Sequence, residues 1–252
     1  MPAAATRITY VGHATVVVDM DGVKLLTDPL LRPRLMHLRR AVKVDLRTLR
    51  GVDAALVSHL HFDHLDLPSL EKLGRELPVV VPHGAGGLLR RRGFRAVMEI
   101  GAGEELRIGQ LTVEATRAVH DPGRMPFGVR ADPLGFVIRG SRSVYFAGDT
   151  EVFEEMSSLG PVDVALLPIW GWGPALGGSG HMNPQEAAEA ARLLAASIAI
   201  PIHWGTYFPV HLGLRRLPEF IDAPATEFAS HMAATAPETE VRVLRPGEET
   251  EL

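Results

Sequence analysis

Ala55-Leu56-Val57-Ser58-His59-Leu60-His61-Phe62-Asp63-His64-Leu65-Asp66 is the stretch that decides how this chain is read. Its first residues continue an apolar run from Ala54, with the length and composition of a short buried strand. The run gives way to His59, His61, Asp63 and His64, four potential metal ligands in six positions. A rigid strand feeding a loop is a good mount for ions. Alternate residues of an extended segment share a side, so His59 and His61 can reach one ion. Asp63 and His64 come after the chain turns and can reach a second. Such a site needs further nitrogen and oxygen donors from the ends of other strands.

Three positions fit that need. His120 closes the apparent strand Thr116–Val119. Asp149 follows Val144-Tyr145-Phe146-Ala147-Gly148, and His203 follows Ile200-Pro201-Ile202. A lone histidine after a strand is more often structural. The repeated context beside a dense motif reverses that reading. His181, in a Gly-rich loop before a helix start, is the best candidate beyond the ligands: it would touch substrate or protonate a leaving group, against a loop histidine bonded to backbone. His13 is a candidate support for the ligands or a structural histidine. His37, His83, His211 and His231 read as surface or structural.

The 252 residues suit one domain, 1–252, and 46% hydrophobic residues supply a sizeable core. With no Cys, thiolate ligands and disulfides are excluded. No apolar run has the length of a membrane span and no signal peptide is recognisable, so the expected compartment is the cytoplasm. A net charge of −4 disfavours nucleic acid as a partner. Residues 30–50 carry seven basic residues and one acid, with several leucines. They read as a solvated, partly helical surface segment, or as a basic loop facing an anionic or lipid-like substrate.

Hydrophobic patterning predicts strands at Arg7–Val11, Ala14–Met20 and Val23–Thr27, with Asp21-Gly22 a hairpin turn and Asp28-Pro29 a stop. A helix follows the histidine run over Leu67–Leu77, then a strand at Val79–Val81 and a short helix at Gly84–Arg92. Strands are expected at Arg95–Ile100, Glu105–Ile108, Leu111–Ala115, Gly135–Arg139, Ser143–Phe146 and Asp163–Leu167. Asn183-Pro184-Gln185-Glu186 opens a helix running to about Ala196. Ile198–Ile202 is a buried strand, Ala225–Ala234 a helix and Val241–Leu244 a last strand. The class is mixed α/β.

The His-x-His-x-Asp-His run, a later His, the Asp of Gly148-Asp149-Thr150 and a final His resemble the metallo-β-lactamase-fold hydrolases over nearly the whole chain. Further stretches are similar to the branch of N-acyl-phosphatidylethanolamine phospholipase D and the ascorbate-6-phosphate lactonases. They are Val11–Val16, Leu26–Pro29, His64–Asp66, Phe146–Thr150, Leu166–Ile169 and His181–Ala187. The resemblance implies a four-layer αββα sandwich of two similar halves. It implies one ion held by His59, His61 and His120, a second by Asp63, His64 and His203, and Asp149 bridging both. Where the branch often has a Gly-Ala-Tyr type sequence, this chain has Trp170-Gly171-Trp172-Gly173, so Trp170 and Trp172 are read as a substrate wall or as loop-anchoring core.

The expected cofactors are two divalent metal ions, Zn²⁺ first, with Mn²⁺ or Fe as alternatives. The expected chemistry is a metal-bridging hydroxide attacking a phosphodiester, lactone or related ester, with Asp63 both binding metal and orienting the nucleophile. A mononuclear iron oxygenase of the persulfide dioxygenase type would not need His203; a nuclease on the same fold is disfavoured by the charge. A small-molecule or lipid-like anionic substrate is expected, and self-association is left open by the assembling lactonase relatives.

Overall fold

The computed structural model describes residues 5–124, 128–171, 180–211 and 217–252. The chain opens with a meander of β1 (Arg7–Gly12), β2 (Thr15–Met20) and β3 (Val23–Thr27). Asp21 and Gly22 both take positive φ between β2 and β3, the conformation that matches a tight hairpin's twist. A small hairpin of β4 (Arg34–Leu35) and β5 (Leu38–Arg40) precedes β6 (Ala54–Leu56), which leads into the histidine run. Then come α1 (Leu67–Leu73), β7 (Val79–Pro82), α2 (Gly86–Arg90) and β8 (Val97–Ile100). The second half holds β9 (Glu105–Ile108), β10 (Leu111–Arg117), β11 (Leu134–Arg139), β12 (Ser143–Phe146) and β13 (Val164–Pro168). It closes with α3 (Pro184–Leu193), β14 (Ile198–Ile202), β15 (Tyr207–Pro209), α4 (Leu217–Thr235), β16 (Glu240–Val241) and β17 (Glu249–Glu251).

Two seven-stranded sheets result, in the orders β17-β1-β2-β3-β6-β7-β8 and β16-β14-β13-β12-β11-β10-β9. Both follow one plan: antiparallel strands on one side, parallel strands on the other. They share a core to which Tyr10, Val18 and Leu56 contribute from the first sheet and Phe136, Tyr145 and Leu166 from the second. Strand alternation then decides the outer layers. Val80 faces the shared core, while Val79 and Val81 face outward and pack with Leu70 and Leu89 of α1 and α2. On the other side Ala187, Ala190 and Ala191 of α3 and Phe228 and Met232 of α4 cover the second sheet. The class is the expected mixed α/β, four-layer αββα sandwich.

Local signals held where they were chemical. Asn183 and Glu186 form a reciprocal capping box at the start of α3. Helix α1 stops four residues short of the expected end because Gly74 takes φ +115. Helix α4 runs through Pro224 instead of starting after it. The expected last strand shrinks to β16, and β17 adds an edge strand beside β1.

Residues 30–50 differ most from expectation. Leu30, Leu31, Leu35 and Leu38 are buried. The segment forms the β4–β5 hairpin, which pairs with β15 into a three-stranded sheet, and a single 3₁₀ turn over Leu46–Leu49. Arg40 is buried and donates to the carbonyls of Val11 (2.8 Å), Leu30 (2.9 Å) and Val42 (3.0 Å). It therefore serves as a structural strap and does not face a substrate. Arg40→Met would keep the packing but leave those carbonyls unpaired. It should lower unfolding free energy by about 2–4 kcal/mol in urea titrations, against at most about 0.5 kcal/mol for exposed Arg34→Gln. Equal midpoints for the two variants would contradict the strap.

Candidate metal centre

The parallel-paired strands β6, β12 and β14 end at one edge of their sheets, and β10, though paired antiparallel on both sides, runs in the same direction as β12, so the residues after all four meet. His59, His61 and His120 present donor atoms within 4.8 Å of one another, and so do His13, Asp63, His64 and His203. Asp149 lies at the join. Its Oδ2 is 3.0 Å from His64 Nε2 and 3.2 Å from His181 Nε2, and its Oδ1 is 3.4 Å from His203 Nε2. All seven residues expected as ligands are thus brought together, with His181 beside them. His13, left between two roles by the sequence, sits inside the second group, its Nε2 3.1 Å from Asp63 Oδ2 and its ring centroid 3.8 Å from that of His203. Trp170 is half-buried against the core, and Trp172 lies outside the described residues.

The outer nitrogens are held so that the inner ones point into the site. His120 Nδ1 donates to the Gly180 carbonyl (2.6 Å) and His203 Nδ1 to the Trp170 carbonyl (2.5 Å). His64 Nδ1 donates to Asp28 Oδ2 at 2.7 Å. Ser58 Oγ also donates to Asp28 Oδ2 (2.6 Å) and lies 2.9 Å from His59 Nδ1. These contacts set each ring's tautomer and orientation, the usual support of a metal-ligating imidazole. The Nε2 of His59 and Oδ1 of Asp149 are left buried with no hydrogen-bond partner among the described residues. Buried polar atoms seldom go unpaired. Inward-facing, partnerless nitrogen and oxygen donors fit a divalent cation.

Charge supports the same fit. Burial, then the neighbouring His64, holds His59 well below the ordinary histidine value, and burial also lowers His61. Burial takes His120 down to about 4 and, with His203, takes His13 to about 3. Burial also works against charge on His64, but Asp149, Asp63 and Asp28 outweigh it and hold the imidazole well above its usual value. Burial opposes ionisation of Asp63 and Asp149 too, yet the surrounding imidazoles keep both carboxyls well below the usual range. His181 is raised: burial opposes its charge, and the hydrogen bond to Asp149 prevails. Three carboxylates around one imidazole call for positive charge at this point, which a divalent cation would supply.

The backbone is strained here. His13 (φ 60), His203 (φ 66) and Asp28 (φ 32) all take the left-handed conformation that non-glycine residues avoid. The first two are locked together by the 2.8 Å bond from His203 N–H to the His13 carbonyl. Glycine is required beside them. A Cβ on Gly180 (φ +97) would lie 2.6 Å from His120 Nδ1, and one on Gly148 (φ +62) 2.8 Å from Ser58 Cβ.

Asp28 is the supporting residue the sequence reading gave no role: it appeared there as a strand stop and within the Leu26–Pro29 stretch of the family resemblance. It is fully buried, and besides His64 and Ser58 Oγ it accepts from Ser58 N–H at 2.7 Å. The available signal was a carboxylate directly after an apolar strand, the same context that singled out Asp149.

Two seven-stranded sheets with a histidine and aspartate site at the converging strand ends define a metal-dependent hydrolase of the metallo-β-lactamase fold. Residues 24–204 match the family described as beta-lactamase superfamily domain, and the chain belongs to that family. A UPF0173 metal-dependent hydrolase of Rubrobacter xylanophilus is 33% identical over 97% of this chain and 96% of its own length. An N-acyl-phosphatidylethanolamine-hydrolyzing phospholipase D 1 of Caenorhabditis elegans is 34% identical over 79% of this chain and 64% of its own. Among solved structures, the metallo hydrolase Igni18 of Ignicoccus hospitalis matches with a TM-score of 0.73 and 26% identity, covering 99% of each chain.

Asp28→Asn would remove the anion that orients His64. Metal affinity, read by competition with a chelating dye, should fall about 10–100-fold with the fold retained; unchanged affinity would contradict the assignment. For metal-stripped protein, the lowered values of His13, His59, His61 and His120 mean that only the unfolded chain takes up their protons as pH falls below 6.5. Stability must then drop toward acid. The raised values of His64 and His181 contribute stability that is full below pH 6.5 and lost as pH rises through their folded values. The urea midpoint should therefore peak near pH 6.5, the ordinary histidine value. A midpoint still rising from there to pH 5 would overturn this account.

Proposed function

We propose that residues 1–252 work as one cytoplasmic, dinuclear metal-dependent hydrolase of a phosphodiester, lactone or other ester that carries an apolar group. The observation that carries this reading is the pair of adjacent donor groups with Asp149 at their join. His59, His61 and His120 would hold one ion, Asp63, His64 and His203 the other, and Asp149 both. Bound divalent ions, Zn²⁺ by preference with Mn²⁺ or Fe as alternatives, supply an acidified water and positive charge for the substrate oxygen.

The chain's own residues then divide the remaining work. Asp63, 3.1 Å from His13 Nε2, would both hold metal and orient the attacking water. His181, half-buried with Nε2 on Asp149, stands where it can protonate a leaving group. A cavity of about 240 Å³ lined by Leu35, Met36, Leu38 and Phe62 adjoins His61 and Asp63. Met36 is 82% exposed, a large apolar side chain left in water at the mouth. These walls suit an acyl or alkyl group, and the phospholipid-hydrolysing name of the nematode relative points the same way. The second donor group favours this reading over a single-iron oxygenase.

Protein purified without added metal should carry about two divalent ions per chain by elemental analysis. His203→Ala should lower that content and cut turnover of bis-p-nitrophenyl phosphate by about 100-fold or more. Zero metal in intact protein would sink the dinuclear reading, and full turnover in His203→Ala would favour a single ion.

A further inference from the structure

The β4–β5 hairpin has two faces, and only one belongs to the metal centre. Leu35 and Leu38 point to the cavity beside His61 and Asp63. Their strand neighbours Arg34 and Arg39 point the other way, into a separate cavity of about 550 Å³. Lys43 and Lys72 also line it, and no acidic residue does. Among the described residues none of these four cations is in a salt bridge, while the acids nearby are engaged elsewhere. Asp45 pairs with Arg47, and Glu71 with Arg75 and Arg92.

The register sets two of these cations side by side, with Arg39 also 6.0 Å from the centroid of the Phe208 ring. Arg34 sits directly opposite Arg39 across the hairpin, so two guanidinium groups share one face. Like charges opposed across strands are destabilising. Arg40 fixes the strand that carries Arg39 to the carbonyls of Val11 and Leu30. Beside the cations the surface turns aliphatic. Val42 is 45% and Leu46 44% exposed, both on the cavity wall. Guanidinium pairs favour phosphate and carboxylate oxygens, which they can bind as forks. The cavity volume lies within the range of small-molecule sites.

We propose that this cavity binds a soluble anionic amphiphile, its phosphate or carboxylate head between Arg34 and Arg39 and its short alkyl chain on Val42 and Leu46. The site is separate from the hydrolytic centre and does not depend on the reaction assigned there.

The lysines give a local readout, since the chain has three, Lys24, Lys43 and Lys72, and Lys24 lies on β3 away from the cavity. Metal-loaded full-length protein is labelled with an amine-acetylating reagent and each lysine is followed by mass spectrometry. Octyl phosphate below its micellar concentration should slow acetylation of Lys43 and Lys72 about tenfold and leave Lys24 unchanged. Inorganic phosphate should need at least about a tenfold higher concentration, and octyl glucoside should not protect. Arg34→Gln/Arg39→Gln, which removes a repulsion together with the Arg39 contact over the Phe208 ring and should melt within a few degrees of the wild type, should raise the half-protecting concentration about tenfold or more. Lys43→Gln, read at Lys72, should also raise it. The proposal is overturned by equal protection of Lys24, by octyl glucoside or phosphate alone matching octyl phosphate, or by protection from phosphatidylglycerol vesicles only. It is equally overturned if half-protection is unchanged in the double variant.

Discussion

Buried charge is the constraint on which the rest of the structure depends. Asp28 and Asp149 are almost wholly buried, and Asp63 is largely so. An isolated buried carboxylate costs several kcal/mol, so each must meet donors or cations. Asp28 does so through Ser58 and His64, and Asp149 through His64, His181 and His203. These contacts join both sheets at one point. The carboxylates come from the ends of β3 and β12, the histidines from the ends of β6 and β14 and from two loops. The first sheet satisfies Asp28 by itself, but Asp149, carried by the second, draws on His64 from the first. The halves must dock in one register for the charges to be satisfied.

The same constraint explains why strain gathers here. His13 and His203 take backbone conformations that cost about 1–3 kcal/mol each, and a direct backbone bond ties them together. Tyr10, fully buried, adds a second tie at 2.6 Å to the Trp204 carbonyl, and Thr206 Oγ accepts from His13 N–H at the same distance. A flexible loop would relax away from such angles. These bonds hold the imidazoles where the carboxylates need them.

Much of this was legible in the sequence, for a physical reason. His59, Asp149 and His203 each follow a buried apolar run whose strand has a parallel partner, and such strands deliver their last residues to one edge, where His120 arrives after the antiparallel-paired β10. The supports were not legible. The carbonyls of Gly180 and Trp170 hold two histidines, yet backbone acceptors leave no mark on residue identity. Arg40 could not be told from six neighbouring basic residues, because only its position on a three-residue strand turns it inward. Strand β17 is Glu-Thr-Glu, without the apolar alternation by which strands are read, since it lies on a sheet edge. Asp28 was visible but read for its effect on the backbone, while its side chain does the more consequential work.

The β4–β5 hairpin stands outside both large sheets, yet forms part of the wall beside the metal centre. Its two strands total five residues, and a single arginine strap and the pairing with β15 fix it to the body. On the proposed reading, chemistry and selectivity are thereby housed in separable parts of one chain. Descendants can exchange residues on this flap, and so alter which molecules are admitted, while the charge-locked edge between the sheets stays unchanged.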